Sequence, residues 1–292
     1  MLSRPTVHAI FVGCLFALTM SLAAADTTEP GDAATRLRAV LEAQSPEVKA
    51  RYGARHPQET LAFFGIMPGM TVYEALPGGG WYSNILSRYL GPDGKLVGID
   101  YPYAMYPMFN FYDDAFLEAK KSWVTTWPEQ ARAWHGSEGA AVDAFLFGAM
   151  PDAMAGQADA VLLIRALHNL ARFEAEGGYL TAALADIHRA LKPGGIVGVV
   201  QHLAPESASD AWADGSNGYL KKSFVVKRFE DAGFELVGDS DVNVNPADQP
   251  TEKDYVWRLP PALNLNPENE ANREQYIKIG DSTRMTLRFR KR

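Results

Sequence analysis

The sequence predicts an α/β protein built on a mostly parallel sheet with helices on both faces. Three observations carry this. Strand-like and helix-like segments alternate from Thr71 to Ser240. Two of the strand-like runs, "ADAVLLIRAL" (residues 158–167) and "IVGVVQHL" (196–203), are predominantly apolar, as strands covered on both faces are. The first strand runs directly into a glycine turn and a helix, "TVYEALPGGGWYSNIL" (71–86).

Each element has its own signal. Residues 33–41 read as a helix. Two short helices follow, one started by Ser45 and Pro46 and the next opened by Pro57. Together they form an N-terminal helical cap, residues 26–69. The first strand then covers 71–76. The next helix, 81–90, carries Ile85, Leu86, Tyr89 and Leu90 on one face. "GPDG" turns the chain into a second strand, "KLVGID", which ends at Asp100. Residues 101–147 are long for a connection and hold ten aromatic residues between Tyr101 and Trp134, which are expected to pack in the core and cap. Helical spacing returns at Leu180, Ala183, Leu184, Ile187 and Leu191, and "LKPGG" ends that helix. "VVKRFEDAGFELVGDS" reads as helix then strand. Residues 241–281 are polar and rich in Pro and Asn, so they form an inserted loop. Met285, Leu287 and Phe289 alternate with polar neighbours in a final strand. Residues 70–292 are thus read as one domain carrying this insertion.

The 292 residues are enough for one sizeable core. A net charge of −7 offers no generic basic surface, so nucleic acid is not an expected partner. Residues 1–25 read as a secretory signal peptide: Arg4, an apolar run from Ala9 to Met20, then Ala23-Ala24-Ala25. An exported protein, periplasmic or secreted, is expected, with no membrane span after cleavage. The single cysteine, Cys14, lies inside that run, so the mature chain has no disulfide or thiolate chemistry. The sequence does not indicate an oligomeric state.

In an open parallel sheet, ligands bind beyond the carboxyl ends of the strands. The glycine turn lies there. Gly78, Gly79 and Gly80 permit positive φ and close approach of a ligand. The following helix offers free N–H groups. Glu74 precedes the turn, and Asp100 is placed to accept hydrogen bonds from a ribose diol. A dinucleotide fingerprint lacks its third glycine here. His168 and His202 follow buried strands and titrate near neutrality when unperturbed. Arg165 either meets a ligand carboxylate or pairs with Asp159 or Glu174. No metal-ligand spacing and no G-x-S-x-G elbow occurs.

Taken together, Glu74, Gly78 and Gly80, then Asp100 in "VGID", "DAVLLIRALHNL" (159–170), "ALKPGGIVGVV" (190–200) and "FEDAGFELV" (229–237) resemble class I S-adenosylmethionine-dependent methyltransferases. More narrowly, "LPGGGWYS" with "HNL" looks like predicted bacterial methyltransferases with signal peptides. The resemblance covers residues 71–240 and the last strand. It implies a Rossmann-like seven-stranded sheet and S-adenosylmethionine bound by Glu74, Gly78, Gly79, Gly80, Asp100 and Tyr101. Glu74 would offset the sulfonium charge, and Tyr82, Tyr101 or Trp81 would face it with a ring. His168 would take a proton from a small-molecule acceptor, and Asn169 would orient it. Two departures stand out. Leu76 replaces a motif glycine, and Ala149 replaces the acid that meets the adenine amine, with Asp152 as a substitute nearby. An alternative of a different class is an exported, non-catalytic relative that binds a nucleoside-like or other small ligand.

Overall fold

A computed structural model describes residues 1–2, 30–134, 138–267 and 269–292. The expected signal segment lies outside the described residues apart from Met1 and Leu2, and Cys14 lies outside them too.

Four helices lead in: α1 (Pro30–Glu42), α2 (Pro46–Lys49), α3 (Tyr52–Arg55) and α4 (Pro57–Phe64). Pro57 starts α4 at a position where its missing N–H is not needed, and Gly65 stops it at φ 73°. The sheet begins with β1 (Thr71–Ala75), followed by α5 (Trp81–Leu90) and β2 (Lys95–Asp100). The aromatic connection folds as a 3₁₀ turn (Tyr103–Phe109), α6 (Asp114–Lys120) and α7 (Trp123–Ala133), with the Asp113 carboxylate capping α6 at the Phe116 N–H. Then come β3 (Ala141–Leu146), β4 (Ala158–Ile164), α8 (Leu167–Arg172), α9 (Glu174–Gly177), α10 (Tyr179–Ala190) and β5 (Leu191–Ala204). The chain ends with β6 (Leu220–Lys221), α11 (Lys222–Asp231), β7 (Phe234–Ser240), α12 (Arg273–Ile279) and β8 (Arg284–Lys291).

The strand order is β3-β2-β1-β4-β5-β8-β7, and the two-residue β6 pairs with β5. The pairs from β3 to β5 are parallel, and β8 runs antiparallel between β5 and β7. The order reverses between β1 and β4, which opens a crevice beyond their carboxyl ends. Side chains alternate across the sheet into two apolar clusters. Val72, Leu162 and Val200 face the cluster that contains Leu37, Leu61, Phe64 and Trp127, while Tyr73, Val161 and Val199 face the opposite one. The leading helices are therefore part of the main core. Gly198 on β5 has no room for a Cβ because the Phe64 ring occupies it.

Two boundaries differ from expectation. The apolar run 158–167 predicts a strand to its end, but β4 stops at Ile164 because Arg165 turns to φ 60°. Residues 168 and 169 thereby lie on α8. "LKPGG" is not merely a helix stop: it is a bulge inside β5, where Leu191 pairs with Ala158 and Ile196 with Ala160.

The excursion after β7 is tied down by a buried ion pair. Arg258 Nη2 donates to Asp248 Oδ1 at 3.0 Å, with side chains 3% and 0% exposed. Asp248 Oδ2 also accepts from the Tyr219 hydroxyl and the Thr283 N–H. No described helix is long and apolar enough to cross a membrane.

Candidate functional site

A cavity of about 480 Å³ opens at the switch point. Its walls come from the turn after β1 (Leu76, Gly78), the end of β2 (Asp100, Tyr101), the aromatic connection (Tyr106, Tyr112, Phe116, Lys120, Trp123), the end of β4 (Ile164, Arg165), the first turn of α8 (His168, Asn169), and His202 and Trp257.

The turn is built differently from the sequence reading. Leu76 adopts φ 53°, a left-handed conformation that glycine takes without strain. Its N–H donates to the Ile99 carbonyl at 2.7 Å, which fixes the turn against β2. Gly78 (φ 55°) lines the cavity. Gly79 and Gly80 are not among the lining residues. Gly80 is required for packing: a Cβ there would stand 2.2 Å from the Trp134 ring.

Glu74 is also elsewhere. Alternation along β1 turns it toward α5, where the Ser83 hydroxyl donates to its Oε2 at 2.6 Å. It is 4% exposed, and burial pushes its pKa up to about 7 despite that bond. The cavity lining does not include it, so a charge-offsetting role there has no geometric basis. The folded state holds this proton more tightly than the unfolded chain, so stability is lost as pH rises from about 4.5 through 7. Glu74→Gln retains an acceptor for Ser83. It is expected to raise unfolding free energy by about 3 kcal/mol at pH 8 and to change little at pH 4. Denaturant titrations at the two pH values check this, and equal changes at both would refute it.

Asp100 occupies the expected place but is already engaged. Oδ1 accepts from its neighbour's N–H at Tyr101 (2.8 Å) and from the Tyr106 hydroxyl (2.5 Å). Oδ2 meets the Lys120 ammonium at 2.6 Å. That ammonium also sits 4.6 Å from the Tyr106 ring centre and 5.7 Å from Trp123. Tyr112 and Phe116 stack beside it at 4.0 Å. The aromatic segment therefore does two jobs. Trp127 and Phe109 pack in the core as expected, whereas Tyr106, Tyr112, Phe116 and Trp123 wall the cavity.

Tyr101 is buried at the cavity, and its hydroxyl donates to the Ala166 carbonyl, tying β2 to the end of β4. Trp81 and Tyr82 are not in the wall. Trp81 lies under the Arg55 guanidinium at 4.4 Å, and the Tyr82 hydroxyl donates to the Arg55 carbonyl. Asp152 is fully exposed and paired with Arg189 at 3.1 Å, so it does not replace the missing adenine acid.

His168 and Asn169 do reach the cavity, on the first turn of α8. The His168 Nδ1 lies 3.4 Å from the Gln201 Oε1, and its ring centre is 5.6 Å from that of His202. Burial, with the nearby charges of Arg165 and Arg172, pushes the His168 pKa down to about 4. His202 lies within β5, with Nδ1 2.6 Å from the Ser282 hydroxyl, and burial pushes its pKa well down as well. Both rings are neutral at pH 7. The two acids that the sequence offered to Arg165 are taken. Asp159 binds Lys192, and Glu174 binds Arg228. Lys120, Tyr106 and Trp257 were not foreseen; the density of aromatics around Lys120 was the only local signal.

The sequence matches no protein-family model, and no curated protein matches it significantly. Solved structures do match. A geranyl diphosphate methyltransferase in complex with S-adenosylmethionine aligns over 92% of this chain and 93% of its own, at 15% identity and a TM-score of 0.50. The chain has the class I methyltransferase fold. An S-adenosylmethionine-dependent methyltransferase from Aquifex aeolicus covers 71% and 93% (18% identity, TM-score 0.42). The [4+2]-cyclase SpnF covers 82% and 80% (16%, 0.48). The class I methyltransferase fold by itself excludes no acceptor class, nucleic acid included.

Proposed function

We propose that the chain is an exported S-adenosylmethionine-dependent methyltransferase acting on a small molecule. One observation carries the catalytic reading: Leu76, Gly78, Asp100, His168 and Asn169 meet around one cavity at the switch point of this fold. The exported location rests on the signal-like N-terminus alone.

The residues present fit the cofactor in kind. Asp100 is a buried carboxylate for the ribose diol, Gly78 leaves an open backbone edge, and Tyr101 with Tyr106 forms an aromatic wall. The fit has one condition, that Lys120 and Tyr106 release Asp100. Bound there, S-adenosylmethionine supplies an electrophilic methyl group for in-line transfer to a nucleophile. The chain's own contribution is positioning and exclusion of water. Asn169 offers donors and an acceptor to the second substrate, and Trp257 closes the wall above His168 at 5.8 Å between ring centres. His168 is neutral and weakly basic, so it suits an acceptor that already carries a reactive lone pair.

A second reading, a non-catalytic binder of a nucleoside-like ligand, is favoured by the prior engagement of Asp100. Calorimetric titration of the mature chain with S-adenosylmethionine and S-adenosylhomocysteine tests the first reading. Micromolar to sub-millimolar binding is expected, and none at millimolar concentration would sink it. Methyl transfer to an acceptor separates the enzyme from the binder.

A further inference from the structure

Beside the cavity lie four arginines, Arg51, Arg55, Arg165 and Arg284, and among the described residues only two of them meet a carboxylate. Arg51 meets Asp281 at 3.2 Å, and Arg284 approaches the same acid at 3.7 Å. Arg284 also donates to the Ala54 carbonyl, next to Arg55. Arg55 is 6% exposed and Arg284 3%, and the Nε of each is buried with no partner among the described residues. Arg165 lines the cavity, and no described acid lies within ion-pair distance of it.

The sheet brings these groups together. The Arg165 N–H donates to the Val200 carbonyl, and His202, two residues on, pairs in register with Arg284. Arg165, just past β4, and Arg284, at the start of β8, thus flank the end of β5. Their mutual repulsion registers in Arg55 and Arg165. Burial first, then Arg165 and Arg51, push Arg55 down to about 9; burial, then Arg284 and Arg51, push Arg165 down to about 10. Both remain charged at neutral pH. A protein with net charge −7 has concentrated uncompensated positive charge in one half-buried place. Burying such charge without a partner is strongly unfavourable, so a counter-charge is missing.

The cofactor does not supply it. S-adenosylmethionine carries one carboxylate, one ammonium and one sulfonium, and is a net cation. The second substrate must bring the negative charge. We propose that the Arg165 cluster is an anion site that binds a carboxylate or phosphate group of the methyl acceptor. This rests on the methyltransferase reading for the word acceptor, but the anion site does not depend on it. Arginine forks match both groups bidentately. Arg165 stands three residues before His168, so an anchored acceptor is held beside the neutral imidazole and Asn169. An anion there also offsets the field that depresses the histidine.

The test uses the mature chain at constant ionic strength, with inorganic phosphate and malonate as probes and chloride as control. Saturable binding of phosphate or malonate is expected, at least tenfold weaker in Arg165→Met, with S-adenosylhomocysteine affinity changed less than threefold. Which probe binds more tightly distinguishes a phosphate from a carboxylate acceptor. Arg165→Lys keeps the charge and is expected to lose two- to fivefold, which decides the matter should the methionine variant misfold. A raised His168 imidazole pKa by NMR on adding the anion supports the same placement. Binding no stronger than chloride, or binding indifferent to both variants, overturns the site. If Arg165→Met weakens S-adenosylhomocysteine but not 5′-methylthioadenosine, the arginine serves the cofactor carboxylate and the acceptor proposal fails. If S-adenosylhomocysteine does not bind the wild type while phosphate binding still requires Arg165, the methyltransferase reading fails and the anion site stands.

Discussion

Lys120→Met is expected to bind S-adenosylhomocysteine about tenfold more tightly than wild type, and Asp100→Ala about tenfold more weakly. The opposite signs follow from one exchange. In the free protein Asp100 is held by Lys120 at 2.6 Å and by Tyr106 at 2.5 Å, with side chains of the ion pair only 19% and 5% exposed. A ribose diol must displace Lys120 before it can use the carboxylate. A charge-assisted hydrogen bond contributes about 1.5–3 kcal/mol, and 1.4 kcal/mol is about tenfold in affinity. Methionine keeps the side chain's apolar stem against Phe116 and Trp123 while removing the competing charge. Asp100→Ala forfeits the ribose contacts, partly offset because no latch has to open. The double variant is expected to behave like Asp100→Ala alone, since Lys120 acts only through that carboxylate. Calorimetry on the three variants checks this. Unchanged or weaker binding in Lys120→Met would remove the latch from the account.

Asp248→Ala is expected to lower unfolding free energy by about 3–5 kcal/mol, because it removes the buried acceptor shared by Arg258, the Tyr219 hydroxyl and the Thr283 N–H and leaves Arg258 with Asp254 alone, at 2.9 Å. For a domain of this size that corresponds to a fall in Tm of roughly 10 °C. The excursion carries Trp257, next to Arg258, into the cavity wall. The same variant should therefore weaken ligand binding even where the chain is still folded. Thermal unfolding with and without S-adenosylhomocysteine measures both effects. A Tm within 2–3 °C of wild type would mean that the pair does not hold the excursion.

Much of the fold was legible because its signals are local. Apolar runs at 158–164 and 196–203 needed only their own composition to read as buried strands, and "RMTLRFR" needed only its alternation. The site was legible where it follows from topology. Asp100 ends β2, and Gly78, His168 and Asn169 lie in the turn or helix just beyond β1 and β4, whose carboxyl ends converge at the switch point. Glu74, Gly79 and Gly80 failed the same reasoning for a geometric cause. Strand alternation directs Glu74 to Ser83, and the room at Gly80 is taken by Trp134 from α7. A motif places residues in a turn but does not say which way each faces.

The sequence by itself determined most of the alternation of strands and helices and the glycine turn after the first strand, whereas the sheet's reversal and the elements β3, α6, α7 and α12, which lie in segments read as a connection and a loop, came only with the structure. Periodicity and turn chemistry act over a few residues, so they survive in one dimension. Only the tertiary structure decided what the site's charges do. Lys120 reaches Asp100 across 20 residues, and Arg51 and Arg284 gather around Asp281 and Ala54 across as many as 230. Electrostatic energy depends on distance and burial in space, and neither is written in the spacing along the chain.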